Sequence, residues 1–328
     1  MPEIITFTPN PALDVTYQVP TINLNRTHRV ETVFRRAGGK GLNTASVLAQ
    51  MAFPARAVGF FTSQDFLADL EARHQELPQF TFQSLPSPFL NRSSVAIVAG
   101  GDATVFNEAG PSVGSRTPKE VAADWKIVWD NALELSWAPE GSIVTINGSF
   151  APGTPEGILG RLVAGLKAKD CWVLVDTSGK YLLEAARAGA DLLKPNVAEI
   201  KDATGLDDLP ASARAVLRAG AKALLVSAGA DGLAYIKMSH GAGLFDSFLE
   251  AHWAKPDTIL SGNPTGAGDA AVAGFVAGLA EGLPLDEILT RAVAWSAAAV
   301  PVEIAGKIDA EMVVDLAANV SHKTEEWS

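Results

Sequence analysis

The stretch Asn263-Pro264-Thr265-Gly266-Ala267-Gly268-Asp269 sets three small residues and one carboxylate at the head of an apolar helical run, Ala270 to Leu279. Backbone N–H groups at a helix start have no intrahelical acceptor and carry the positive end of the macrodipole. A glycine-rich start is therefore a seat for an anion such as a transferring phosphoryl group. Asp269 would stand beside that seat as a base. The competing reading is a turn that only starts a packed helix. Gly266 to Ala271 also fits G-x-G-x-x-A, with Glu287 where a ribose-binding acid would be sought. That dinucleotide fingerprint belongs in a first βα turn, whereas this one comes late in a helix-rich stretch.

A second such segment, Ala37-Gly38-Gly39-Lys40-Gly41-Leu42-Asn43, also opens a helix. Its glycines admit a ligand close to the backbone, Lys40 offers a point charge to a phosphate, and Asn43 offers a donor and an acceptor to hydroxyls. The G-x-x-x-x-G-K-[ST] spacing of a Walker loop occurs nowhere in the sequence. The first strand runs into Asn10-Pro11-Ala12-Leu13-Asp14, and ligands of open α/β sheets sit beyond the carboxyl ends of strands. Asp14 could accept from sugar hydroxyls there, or simply close an Asx turn. In Lys194-Pro195-Asn196-Val197-Ala198-Glu199, Asn196 and Glu199 would share one face of a helix start. They suit a hydrated Mg²⁺ and phosphate oxygens, or a capping box. Ser227-Ala228-Gly229-Ala230-Asp231-Gly232 is a turn between two strands, suited to a nucleotide edge or a plain hairpin.

The elements that must hold these segments follow from periodicity. Apolar β-type runs recur at 4–8, 57–61, 143–147, 173–177, 192–194 and 224–227. Helical patterns lie at 41–51, 66–76, 119–135, 155–169, 180–188 and 211–219, and three helical stretches, 270–279, 285–300 and 310–320, close the chain. Such alternation predicts an α/β fold, a mostly parallel sheet covered by helices on both faces, in one domain over residues 1–328. Two excursions, about 13–36 and 90–110, alternate apolar and polar residues like hairpins, the second around Gly100-Gly101-Asp102. Together they predict a small β-sheet lid through which two copies would dimerise.

Composition narrows the chemistry. With 48% hydrophobic and 19% charged residues and no run long enough to cross a bilayer, the sequence predicts a soluble protein with no membrane partner. The opening residues lack a signal peptide pattern and Cys171 is the one cysteine, which predicts a cytoplasmic location and a buried thiol at a strand. The sequons at Asn91 and Asn147 are then accidental. A net charge of −11 argues against nucleic acid. Within it, Arg26, Arg29, Arg35, Arg36 and Lys40 face only Glu31, which suits either a small anionic ligand or a solvated strand edge.

Taken together, N-P-A-L-D at 10–14, G-G-K-G-L-N at 38–43, K-P-N-x-x-E at 194–199 and G-A-G-D at 266–269 resemble the ribokinase-like carbohydrate kinases of the phosphofructokinase-B family. The likeness spans nearly the whole chain and is greatest to the 1-phosphofructokinase and tagatose-6-phosphate kinase branch, which shares Asn107-Glu108-Ala109-Gly110-Pro111 and Asp176-Thr177-Ser178-Gly179. The resemblance implies a three-layer α/β/α body with a β-sheet lid, ATP with Mg²⁺, and a ketohexose monophosphate as acceptor, fructose 1-phosphate or tagatose 6-phosphate. It casts Asp269 as base and the N–H groups of Gly266, Ala267 and Gly268 as anion hole. It places the sugar phosphate on Asp14, Gly38, Gly39, Lys40, Asn43 and Arg92, the nucleotide near Asn196, Ser227, Gly229, Gly266 and Gly268, and Mg²⁺ near Glu199. One departure concerns the acceptor: Arg92 is followed by Ser93 and Ser94 where the family usually has an asparagine, often with a lysine beyond. A kinase for an unphosphorylated sugar or nucleoside, a sugar-phosphate sensor without turnover, and a dinucleotide oxidoreductase are the rival functions.

Overall fold

The computed structural model describes residues 1–99, 102–240 and 247–327; the Gly100-Gly101 part of the expected second turn lies outside them. In chain order the strands are β1 (Ile4–Thr8), β2 (Ala12–Gln18), β3 (Thr32–Gly38), β4 (Ala55–Gly59), β5 (Phe80–Ser84), β6 (Arg92–Ala99), β7 (Asp102–Asn107), β8 (Ile143–Asn147), β9 (Trp172–Asp176), β10 (Leu192–Leu193), β11 (Ala223–Ser227), β12 (Leu233–His240), β13 (Ser247–Pro256) and β14 (Val320–Trp327). The helices are α1 (Lys40–Gln50), α2 (Gln64–Glu76), α3 (Pro118–Leu133), α4 (Ile158–Lys167), α5 (Lys180–Arg187), α6 (Val197–Thr204), α7 (Leu209–Ala219), α8 (Ala267–Glu281), α9 (Leu285–Ala299) and α10 (Val313–Ala318).

The main sheet has ten strands in the order β14-β13-β12-β11-β10-β9-β8-β1-β4-β5. From β11 to β5 every pairing is parallel, and β12, β13 and β14 extend the edge antiparallel. Alternation within the strands explains why helices are needed on both sides. Ile5, Phe7, Val144, Ile146, Val173 and Val175 enter one apolar cluster with α3, α4, α5 and α7. Ile4, Ile143, Leu174 and Leu225 enter the other with α1, α2, α8 and α9. A strand buried on both faces must be apolar at every position, as β1 and β8 nearly are. Where α8 meets α9, a Cβ on Gly274 would stand 2.9 Å from Ala292 Cα, so the small residues of α8 let the two helices approach closely.

The small sheet has the order β3-β2-β6-β7, its two hairpins joined by the parallel β2–β6 pairing. Because opposed residues point the same way, Asp14, Arg36, Ser94 and Asn107 share one face with Ala12 and Arg92, while Val15, Val95 and Phe106 lie on the other. Phe34, Val105 and Phe106 are 55%, 51% and 59% exposed.

Several expectations are corrected. The helix expected at 310–320 shrinks to α10, and Val320–Trp327 instead forms β14 on the open edge of β13. Edge pairing satisfies its backbone and overrides the local helical pattern. The helix expected from Ala270 begins at Ala267, so Gly268 and Asp269 lie in its first turn. The strands β5 and β13 have no counterpart in the periodicity reading. Cys171 is buried as expected but precedes β9 rather than lying in it. Both sequon asparagines are structural: Asn147 has no exposed surface, and Asn91 accepts from the N–H groups of Thr62 and Ser63. Among the described residues no helix is long and apolar enough to cross a membrane.

Candidate active site

The carboxyl ends of the parallel strands and the starts of α1 and α8 converge on one set of polar residues. Gly266 precedes α8 with φ 91°, a left-handed conformation suited to glycine, and a Cβ there would stand 3.0 Å from Ala305 Cα. Asn263 shapes the approach: its Oδ1 accepts from Thr265 N–H at 3.0 Å and its own N–H donates to Val300 at 2.9 Å. Of the N–H groups expected to bind an anion, that of Ala267 already donates to Pro264 C=O at 3.1 Å. Those of Gly266, Gly268 and Asp269 donate to nothing among the described residues. The open donors thus differ from the expected trio by one exchange: the turn bond just ahead of the helix takes up Ala267, and Asp269 joins Gly266 and Gly268.

Asp269 is 5% exposed, and its Oδ2 accepts from Asn43 Nδ2 at 2.8 Å. Its Oδ1 makes no hydrogen bond among the described residues. Burial, then the charge of Asp176, raises its pKa from 3.8 to about 6, against the opposing pull of Lys40, Asn43 and Lys194. A carboxyl group in that range is ionised at neutral pH yet holds a proton better than an ordinary aspartate, which suits a general base. The Thr44 hydroxyl reaches the carbonyl of Asp269 at 3.2 Å and ties α1 to α8.

Asp176, at the end of β9, is 1% exposed between two lysines, with Lys40 Nζ 3.1 Å from Oδ1 and Lys194 Nζ 3.5 Å from Oδ2. The lysines hold its pKa below the usual carboxylate range despite burial, and Asp176 raises that of Lys40. Asp176 and ionised Asp269 together balance the two ammonium groups, so the lysines set positive charge beside α8 without a net excess. A Cβ on Gly268 would stand 3.2 Å from Lys194 Nζ, so that charge lies against the open N–H groups. Neither Asp176 nor Lys194 was given a role from sequence. The available signal was their place at the ends of β9 and β10, where an apolar strand gives way to a charged residue.

Asp14 stands at the junction with the small sheet. Its carboxylate accepts no hydrogen bond among the described residues, and burial raises its pKa to about 6 although Arg36, Arg92 and Arg73 act to lower it. A Cβ on Gly38 would fall 2.0 Å from Asp14 Oδ2, so only glycine leaves this carboxylate room. Arg92 is held by the carbonyls of Asn10 at 3.3 Å and Glu108 at 2.8 Å. The basic cluster read from sequence is divided by the fold: Lys40 pairs with Asp176, Arg36 donates to the carbonyl of Ala305, and Arg26, Arg29 and Arg35 are exposed. The segment from Gly38 to Asn43 therefore touches Asp14 at one end and Asp269 at the other, with the N-cap residue Gly39 at φ 134° between them.

Asn196 and Glu199 form a reciprocal capping box on α6, each backbone N–H donating to the other side chain at 2.8 Å. This accounts for their spacing and occupies Asn196 Oδ1 and Glu199 Oε2, while Glu199 Oε1 remains without a partner among the described residues. Glu199 adds to the negative charge that raises the Lys40 pKa, so it lies within electrostatic reach of the lysines. Ser227 bridges to Asn196, and its N–H donates to Pro195 C=O at 3.1 Å. Gly229, φ 58°, begins a 3₁₀ turn between β11 and β12, and among the described residues no hydrogen bond ties it to Asp269. Among the described residues no three His, Cys, Asp or Glu side chains form a metal cage.

Comparison with known proteins adds a family and a fold. Residues 91–308 match the pfkB family carbohydrate kinase profile. Phosphofructokinase-2 of Escherichia coli, solved in complex with potassium, superposes with a TM-score of 0.81 at 22% identity, covering 97% of this chain and 99% of that one. The same enzyme solved with fructose-6-phosphate gives 0.78 at 22% identity over 97% and 99% of the two chains. A possible 1-phosphofructokinase of Thermotoga maritima gives 0.76 at 20% identity over 98% and 99%. At such identities the likeness is one of fold.

Proposed function

This chain belongs to the pfkB family of carbohydrate kinases, and we propose that it transfers the γ-phosphoryl group of ATP to a primary hydroxyl of a ketohexose monophosphate, fructose 1-phosphate or tagatose 6-phosphate, giving the bisphosphate. The observation that carries this reading is Asp269: a buried carboxyl with one oxygen held by Asn43 and the other unpaired, at the head of a helix whose first N–H groups are open. Phosphoryl transfer asks mainly for positioning and charge stabilisation, and these groups offer both.

In this account Asp14 orients the sugar by accepting from its hydroxyls, with Gly38 and Gly39 giving the ring access. Arg92 and Lys40 face the substrate phosphate. Asp269 Oδ1 takes the proton of the attacking hydroxyl while Asn43 fixes the carboxylate through Oδ2. The N–H groups of Gly268 and Asp269, with Gly266 beside them, receive the charge that develops on the γ-phosphoryl oxygens. Lys194 offsets that charge from behind Gly268, and Lys40 does so beside it. Ser227 and Gly229 border the nucleotide.

Mg²⁺ fits the free Oε1 of Glu199 through a water, because this ion keeps several waters and binds through one or two carboxylates together with phosphates. When bound it would neutralise the ATP phosphates. The small sheet acts as a lid that limits water, and Phe106, exposed on the face away from Asp14, suits an isologous contact with a second copy. Both sheets thus serve one kinase unit.

The test is ADP release from Mg-ATP over fructose 1-phosphate, tagatose 6-phosphate, fructose 6-phosphate and free fructose. A preference for fructose 1-phosphate or tagatose 6-phosphate is expected. Preference for free fructose would move the assignment to an unphosphorylated acceptor, and preference for fructose 6-phosphate would move it to the other phosphofructokinase type.

A further inference from the structure

A groove of about 240 Å³ opens at the amino ends of β9, β10 and β11, the opposite end of the sheet from Asp176 and Lys194. Its apolar lining joins three aromatic rings, Trp172, Tyr235 and Phe275, to Leu192, Leu279, Leu285 and Ile288. Trp172 lies nearly parallel to Phe275 with centroids 6.2 Å apart, and Phe275 nearly parallel to Tyr235 at 6.3 Å. Leu279, one turn beyond Phe275 on α8, lies on the same side of that helix. The polar lining is Asp191 and Lys222.

The free polar groups of the groove can all donate, and the Tyr235 hydroxyl can also accept. Asp191 is already saturated: Oδ1 accepts from Lys222 Nζ at 2.6 Å, and Oδ2 accepts from Lys167 Nζ at 2.5 Å and from Val173 N–H at 2.8 Å. Lys222, with a side chain 63% exposed, uses one of its three ammonium protons there. The Trp172 indole N–H and the Tyr235 hydroxyl make no hydrogen bond among the described residues. Lys167, outside the groove, shares Asp191 with Lys222, so the three charges sum to one positive, and Lys222 is the cation that reaches the mouth with ammonium protons to spare. A ligand that complements this lining carries a flat apolar body and an anionic acceptor. The volume is enough for one ring with a short acid group.

We propose that this groove is a second ligand site, separate from the kinase centre, for a small aromatic carboxylate whose ring lies against the half-buried Trp172 and Tyr235 and whose carboxylate meets Lys222. Ligand contact with Leu279 would fall on the helix that begins at the anion seat. Asp269 lies six residues before Phe275, about 9 Å along the axis at about 1.5 Å per residue.

The experiment is a titration of the full chain with sodium benzoate and with its neutral counterpart benzamide, followed by ligand-observed NMR and by calorimetry. Benzoate should bind saturably and more tightly than benzamide, and should still bind with saturating Mg-ATP present. Lys222→Gln, at an exposed position, should weaken benzoate about tenfold, the loss of about one charge-assisted hydrogen bond, and leave benzamide unchanged. Leu279→Phe, which fills the groove, should remove binding of both while the unliganded melting temperature stays near that of the parent. Equal binding of benzoate and benzamide would assign the groove to neutral ligands and overturn the proposal. So would displacement of benzoate by Mg-ATP, absence of saturable binding, or indifference to both substitutions.

Discussion

Acidification should silence phosphoryl transfer well above the pH at which an ordinary aspartate protonates. Burial and the neighbouring Asp176 put the Asp269 pKa at about 6 rather than 3.8. At pH 5 roughly a tenth of the base is ionised with the raised value, against more than about nine-tenths with the ordinary one, so kcat/KM should fall about tenfold from its plateau. A sugar phosphate and Asp14 also titrate near about 6, so an acid limb alone does not identify its owner. Substitutions around the base do. Removing Asp176 as an anion with Asp176→Asn takes away a charge that raises the Asp269 pKa, and the limb should move to lower pH. Removing Lys40 as a cation with Lys40→Met takes away a charge that lowers it, and the limb should move to higher pH. Both variants will lower the plateau, so the quantity to read is the midpoint. The assay is kcat/KM for the sugar phosphate from coupled ADP release at saturating Mg-ATP, from about pH 4.5 to 8.5. Unmoved midpoints in both variants would refute the assignment of the limb, and of the base, to Asp269.

Gly38→Ala drives a methyl group into the Asp14 carboxylate, 2.0 Å from Oδ2, and should raise KM for the sugar at least tenfold with KM for ATP little changed; steady-state kinetics in both substrates check this. Gly306→Ala combines φ 78° with a Cβ 2.8 Å from Asn43 Oδ1, so it should lower kcat by disturbing the Asn43–Asp269 bond, and kcat measured at saturating substrates tests it. Thr117→Ala removes the N-cap of α3, whose hydroxyl accepts from Glu120 N–H, and should cost about 1 kcal/mol in urea unfolding without altering kcat. Phe106→Asp on the small sheet should convert a dimer to monomer in sedimentation analysis, and an unchanged mass would exclude that face as the interface.

The α/β alternation and the small sheet were legible because β1, β8 and β9 are apolar at nearly every position and their helices carry helical spacing. The edge strand β14 was not, because Val320–Trp327 is ordered by pairing with β13, a partner distant in sequence. In the site, glycine-rich helix starts announced Asp269, Asn43 and Gly38. Asp176 and Lys194 stood in quoted motifs but received no role, because only the fold brings them to Lys40. The Asn196–Glu199 spacing had two meanings, and the structure holds the capping one.

Asp269→Asn keeps the shape of the site and the Asn43 contact while removing the proton acceptor. Its effect on ADP release with a ketohexose monophosphate, measured beside Mg-ATP affinity, is the most direct test. Because burial raises the Asp269 pKa, the native state takes up a proton between about pH 6 and 3.8, so its ionised form opposes folding at neutral pH. The variant should therefore melt at or above the parent temperature near pH 7.5. Turnover should fall roughly 10²–10⁴-fold with Mg-ATP affinity retained; near-normal turnover in a folded, ATP-binding Asp269→Asn protein would contradict the account.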